Sequence, residues 1–168
     1  MQDTVRSLMQ TPPRVIDSSA SLAELERAFL ETGVRSFPVV ERGRLVGIVS
    51  RSDVVRQLSV EQTLAENASY AEQEVSGFED EQEEAEQADD RVGDQVGQRL
   101  EGLHVSDVMI RRVHTIAPDA SLGEAAQLLV SKRIHQAPVV EGDKVVGLLS
   151  ALDFARPFAE GRVRWERS

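Results

Sequence analysis

Two Ser-x-x-Asp quartets stand 100 residues apart, Ser50–Asp53 and Ser150–Asp153. Each directly follows an apolar run that holds a glycine, "LVGIV" and "VVGLL". Serine followed three residues later by an acid is a helix start, in which the hydroxyl and the carboxylate each satisfy a backbone N–H that the first turn leaves free. The same placement suits a second chemistry. A helix N-terminus behind a strand offers N–H groups and the positive end of the dipole to an anion. A glycine in that strand lets backbone approach a ligand, and a carboxylate beside it can accept two hydrogen bonds from a sugar diol. From these residues alone both readings, helix cap and ligand grip, stay open.

The elements that would position the quartets are themselves duplicated. Residues 5–58 slide onto 105–158 without a gap, with 16 identities in 54 positions, among them Val5/Val105, Met9/Met109, Ser21/Ser121, Glu24/Glu124, Pro38/Pro138, Gly47/Gly147 and Arg56/Arg156. Identities gathered at turns, caps and apolar sites mark two copies of one supersecondary unit. Each copy opens on an extended piece, "PRVIDSS" or "VHTIAPD". Capping boxes at Ser21-x-x-Glu24 and Ser121-x-x-Glu124 start a helix, whose apolar stripe is Leu22, Leu25 and Phe29 in one copy and Leu122, Ala125, Leu128 and Leu129 in the other. Gly33 is a stop for the first helix; Arg133 offers no such stop, so the second boundary is softer. "FPVV" and "APVV" read as strands, "ERGR" and "EGDK" as hairpin turns, and a last helix opens at Ser50 or Ser150. The fold class is therefore α+β, a tandem of β-α-β-β-α units. One unit alone buries too little apolar surface to be secure, so the two are expected to pack as a pseudo-twofold pair with two equivalent clefts.

Composition narrows the function. The 168 residues contain no cysteine, so disulfides, thiolate metal sites and a cysteine nucleophile are excluded. The opening residues show no secretory signal and no apolar run reaches the length of a membrane span, which sets a cytoplasmic protein without a membrane partner as the expectation. The net charge of −10 is concentrated. Residues 59–104 carry 14 acidic and 2 basic side chains, and the remainder 15 acidic and 17 basic. No basic face dominates, so a nucleic-acid partner is disfavoured. His104 and His114 lack metal-ligand spacing, and no glycine-rich phosphate loop or nucleophile–base pair can be assembled. Neither a metal nor a cofactor is expected, and the chain is read as no enzyme.

The order "h-P-V-V, turn, h-V-G-h-h-S-x-x-D" (h, apolar), written twice and preceded in the second copy by "TIAPDASLGEA", resembles the CBS motif, named after cystathionine β-synthase. The tandem resembles a CBS pair, or Bateman module, and covers about two thirds of the chain. The resemblance implies a regulatory, ligand-sensing module that binds AMP, ADP, ATP or S-adenosylmethionine in clefts between two motifs, commonly as a homodimer, and signals to a regulated protein that the sequence does not identify. It assigns Asp53 and Asp153 to the ribose hydroxyls, and Ser50 and Ser150 to phosphate or ribose. Ser52 fits a further phosphate contact where Leu152 does not, and Thr115 fits a nucleoside contact where Val15 departs. Arg35 and His135 occupy the position of a phosphate-binding basic residue. The alternative is a pair that binds no nucleotide and serves as a dimerisation scaffold, its Ser-x-x-Asp quartets only capping helices.

The expected domains are 1–58 and 105–158 as the two motifs, 59–104 as an acidic, largely helical insert, and 159–168 as a basic tail containing Trp165. In the insert, Leu64, Ala68, Ala71, Val75 and Phe78 form a heptad-like stripe that extends the last helix to about Ser76 and suggests a subunit contact. "EDEQEEAEQADD" repels itself and stays solvated, and Val92, Val96, Leu100 and Leu103 suggest a return helix.

Overall fold

The computed structural model describes residues 4–73 and 100–161, with side chains over 4–64 and 100–161. The insert between 74 and 99, with Val75, Phe78, Val92 and Val96, lies outside the described residues, as do the side chains of Ala68 and Ala71 and the tail from 162 with Trp165. The first copy runs α1 (Val5–Leu8), β1 (Ile16–Asp17), α2 (Leu22–Thr32), β2 (Ser36–Glu41), β3 (Arg44–Ser50) and α3 (Arg51–Gln73). The second runs α4 (Val105–Val108), α5 (Leu122–Lys132), β4 (Gln136–Glu141), β5 (Lys144–Ser150) and α6 (Ala151–Ala159). The α+β class and the repeated order hold. The second copy's opening extended piece is reduced to one parallel bridge, Ile116 to Val139.

Both capping boxes form. The Ser21 and Ser121 hydroxyls accept from the backbone N–H of Glu24 and Glu124 at 3.2 Å, and each glutamate takes the serine N–H in return, at 2.8 and 2.9 Å. The hydroxyls also donate to the glutamate carboxylates, at 3.0 and 2.8 Å, and the serine N–H first and this hydroxyl second hold both glutamates below the ordinary carboxylate range. The helices also end at matching places. Gly33 adopts the left-handed conformation at φ 66°, as its lack of a Cβ allows. Arg133 was expected to leave a soft boundary, yet it takes the same conformation at φ 53° and its N–H closes on Leu129 and Val130. The hydrogen bonds of the stop outweigh the steric cost of an arginine there.

The chain divides into two compact units that cut across the repeats. Among the described residues, one holds 16–39, 48–73 and 100–110, the other 4–15, 40–47 and 111–161. Each unit takes its opening helical turn from the opposite copy. In the unit of the second copy, Val5 N–H donates to Ala120 and Arg6 N–H to Pro118, at 3.0 and 2.9 Å, and Gln10 exchanges two backbone hydrogen bonds with Leu148 on β5. In the unit of the first copy, Val105 N–H donates to Ala20 and Ser106 N–H to Ser18, at 2.8 and 2.9 Å, while Ile110 pairs with Ile48 on β3 in the same way.

Within the second-copy unit, Val5, Ala125, Val139 and Leu149 form a buried cluster with Leu8, Met9, Ile116 and Phe154 against it. Strands β4 and β5 are antiparallel, with Gln136 opposite Ser150, Ala137 opposite Leu149 and Val139 opposite Gly147. Alternation along the strands sends Val139 and Leu149 to the cluster, with the buried Ala137 on their side, and Gln136 and Ser150 to the other face. A Cβ on Gly147 would lie 2.6 Å from Met9 Sδ and 3.1 Å from the Gln10 carbonyl. The close approach this glycine permits is thus filled by the chain's own N-terminal segment. In the first-copy unit Leu25, Phe29, Phe37, Val39, Val49 and Val105 are buried. The Phe29 and Phe37 rings stand 5.1 Å apart, and Arg51 lies over Phe29 while donating to its carbonyl, which ties the head of α3 to α2.

Candidate functional site

Strand β5 delivers Ser150 to the head of α6, and the helix turns Asp153 back toward it. Asp153 is 1% exposed. Its Oδ2 accepts from the Ser150 backbone N–H and hydroxyl, both at 2.7 Å, and its Oδ1 accepts from Arg156 at 2.8 Å. In the other unit β3 and α3 repeat the arrangement. Asp53, 5% exposed, accepts from Ser50 N–H at 2.8 Å and its hydroxyl at 2.5 Å, and from Arg56 at 3.1 Å. Buried carboxylates need partners, and a guanidinium three residues along the helix provides a charged one. Arg56 and Arg156 belong to this constellation. Their identity in the repeat was the visible signal, but their pairing was not read from it.

The preceding strands bring the basic candidates to the same helix heads. Arg51 N–H donates to the Arg35 carbonyl at 3.3 Å, and Ala151 N–H to the His135 carbonyl at 2.9 Å. Both side chains are exposed and make no hydrogen bond or ion pair among the described residues. Arg35, Ser50, Ser52 and Asp53 thus gather at one helix head, with Ser52 exposed in the first turn of α3. His135, Ser150 and Asp153 gather at the other, where the residue before the aspartate, Leu152, is 78% exposed. Thr115 is exposed and sits one residue before Ile116, which bonds β4 through Pro138 and Val140 at 3.1 and 2.9 Å. It therefore lies along the edge of β4 opposite β5. Among the described residues no cluster of metal ligands occurs.

The two heads differ in one partner. Gln10 Nε2 donates to both Asp153 oxygens, at 3.0 and 3.2 Å. The equivalent residue of the other copy is Ile110, which has nothing to donate. A carboxylate offers about four acceptor positions. Asp53 receives three hydrogen bonds and keeps capacity for a ligand hydroxyl, whereas Asp153 is saturated by its own chain.

Two tandem β-α-β-β-α copies, each ending in a strand, a serine and a buried aspartate at a helix head, match the family model described as CBS domain over residues 5–60 and 105–160. The chain belongs to the CBS domain family. Among similar proteins, the A-adding tRNA nucleotidyltransferase of Aquifex aeolicus is 25% identical over 157 residues, an alignment covering 93% of this CBS chain but 14% of that enzyme. The chain thus spans a small part of that relative's length. Two solved CBS structures match along nearly their whole length. CBSX2 in complex with AMP superposes with a TM-score of 0.66 at 21% identity, covering 95% of this chain and 98% of that one. The CBS pair of protein MJ0100, in complex with 5′-methylthioadenosine and S-adenosyl-L-methionine, gives 0.62 at 19% identity over 96% and 99%. These likenesses establish the fold. No helix among the described residues is long and apolar enough to cross a membrane.

Proposed function

We propose that this CBS pair is a regulatory module that binds adenosine-containing nucleotides (AMP, ADP or ATP, with S-adenosylmethionine as a further candidate) and passes the bound state to a protein partner. The observation that carries this reading is the repeated grouping of a buried aspartate, a serine and an exposed basic residue at a helix head. A buried, prealigned carboxylate is an acceptor for ribose hydroxyls, while Arg35 and the helix N-terminus favour phosphate. The complexes of CBSX2 with AMP and of MJ0100 with adenosine derivatives support the ligand class. Under this reading Asp53 holds ribose directly and Asp153 does so on displacing the Gln10 amide, Ser50, Ser52 and Ser150 lie beside ribose or phosphate, Thr115 meets the nucleoside, and Arg35 and His135 meet phosphate. Cytoplasmic placement, a homodimer and a sensing rather than catalytic role complete the proposal.

A melting screen tests it. A ligand at 100 times its Kd stabilises the folded protein by about 2.7 kcal/mol. AMP, ADP, ATP or S-adenosylmethionine is expected to raise the midpoint, and Asp53→Ala with Asp153→Ala to abolish the rise. The corresponding Asn pair preserves side-chain shape and separates lost binding from lost folding. A second reading has an observation of its own. The chain's own Ser150, Arg156 and Gln10 fill the acceptor positions of Asp153, as a scaffold that only caps its helices requires. No midpoint shift with any of the four ligands, confirmed by calorimetry, would favour that scaffold.

A further inference from the structure

Two side-chain polar atoms among the described residues are buried without a hydrogen-bond partner, Ser36 Oγ and Gln136 Nε2. They occupy the same position of the two copies, 100 residues apart, although one is a hydroxyl and the other an amide. Ser36 is 7% exposed. A buried polar group left unpaired costs about 1–3 kcal/mol, so native proteins rarely keep one without a use for it. Here the same place is left unpaired twice.

The position is next to the helix heads. Gln136 opens β4 and stands opposite Ser150. It follows His135, whose carbonyl is bonded by the first residue of α6. Ser36 opens β2 and follows Arg35, whose carbonyl is bonded by the first residue of α3. Residues opposite one another in an antiparallel pair project to the same face. Gln136 therefore shares a face with Ser150, the one turned away from Val139 and Leu149 of the buried cluster.

We propose that Ser36 and Gln136 are ligand-reading positions, each completing its hydrogen bonding only when a polar group of a nucleotide occupies the helix head beside it. The inference rests on the nucleotide-binding reading above and adds a discriminating residue to it. Gln136 presents an amide N–H and calls for an acceptor on the ligand; Ser36 presents a hydroxyl that can donate or accept. The two units therefore differ in the ligand edge they select.

The test is isothermal titration with AMP, together with thermal unfolding of the unliganded protein, for wild type, Ser36→Ala and Gln136→Leu. Removing an unpaired buried group leaves the unliganded midpoint unchanged or higher, while the loss of one ligand hydrogen bond raises Kd roughly tenfold. In an Asp153→Ala background, which leaves only the Asp53 unit to bind, Ser36→Ala should weaken AMP and Gln136→Leu should not. A Kd equal to wild type in both variants overturns the inference while the proposed function stands. So does a fall in the unliganded midpoint with unchanged Kd, because each group would then have an internal partner such as a bound water. Failure of wild-type protein to bind AMP, ADP, ATP or S-adenosylmethionine overturns the proposed function itself, and this inference with it.

Discussion

Replacing Gln10 by alanine should make the protein less stable and a better ligand binder. The Gln10 amide donates to both oxygens of Asp153, at 3.0 and 3.2 Å. A hydrogen bond to a charged group contributes about 1.5–3 kcal/mol. Gln10 is exposed, however, and must give up rotamer freedom to hold its amide in place, so about 1 kcal/mol is the appropriate size here. For a chain of this length that corresponds to a fall in Tm of about 2–4 °C. A ligand diol reaching Asp153 has to displace this amide, and without it the same energy returns as affinity, about fivefold in Kd. Scanning calorimetry measures the first effect and titration with AMP the second. If Tm drops while AMP affinity at the Asp153 unit stays level, the ligand does not compete with Gln10 for the carboxylate. The converse change, Ile110→Gln, supplies an amide at the matching place near Asp53 and should weaken that site by a similar factor.

Other expectations are independent of any ligand. Arg133→Gly relieves a left-handed arginine at φ 53° and should stabilise by about 0.5–1 kcal/mol in urea unfolding, since the steric gain exceeds the added freedom of the unfolded chain; a loss would show that the arginine side chain contributes at that stop. Gly147→Ala places a Cβ 2.6 Å from Met9 Sδ and 3.1 Å from the Gln10 carbonyl, and should cost about 1–2 kcal/mol as the N-terminal segment shifts; unchanged stability would mean that segment is only loosely seated. Ser21→Ala and Ser121→Ala remove donors that lower the folded-state pKa of Glu24 and Glu124 below the ordinary 4.5. A lowered carboxylate stabilises fully above its unfolded value and loses that contribution as pH falls through the folded one. The Tm deficit of the serine variants should therefore be largest near neutral pH and narrow below pH 4.5, and a constant deficit from pH 3 to 7 would assign the effect to the helix cap alone.

The repeat, both capping boxes, the hairpins and the two aspartates were legible because each is written in residues close together in sequence. Ser21 and Glu24 meet within one helical turn, and so do Ser50 and Asp53. The helical turns at Val5–Leu8 and Val105–Val108 were not legible, since four residues make too little of a period to detect. Gln10 on Asp153 joins residues 143 apart, and no local pattern announces such a contact. The stop at Arg133 escaped because glycine is the usual residue there. Ser36 and Gln136 escaped for a different reason: their significance lies in having no partner, which only a packed structure reveals.

The trade of opening turns between the copies has a consequence for how such a chain arises and folds. Val5 closes onto Ala120, and Val105 onto Ala20, so a polypeptide carrying a single copy would have a vacant berth and a loose end of matching shape. Two such half-length molecules could satisfy each other reciprocally, and gene duplication would then convert a bargain between strangers into an internal one. The inheritance is kinetic as well. Neither unit can finish until segments about a hundred residues apart have found each other, so its assembly waits on the slow search for distant contacts.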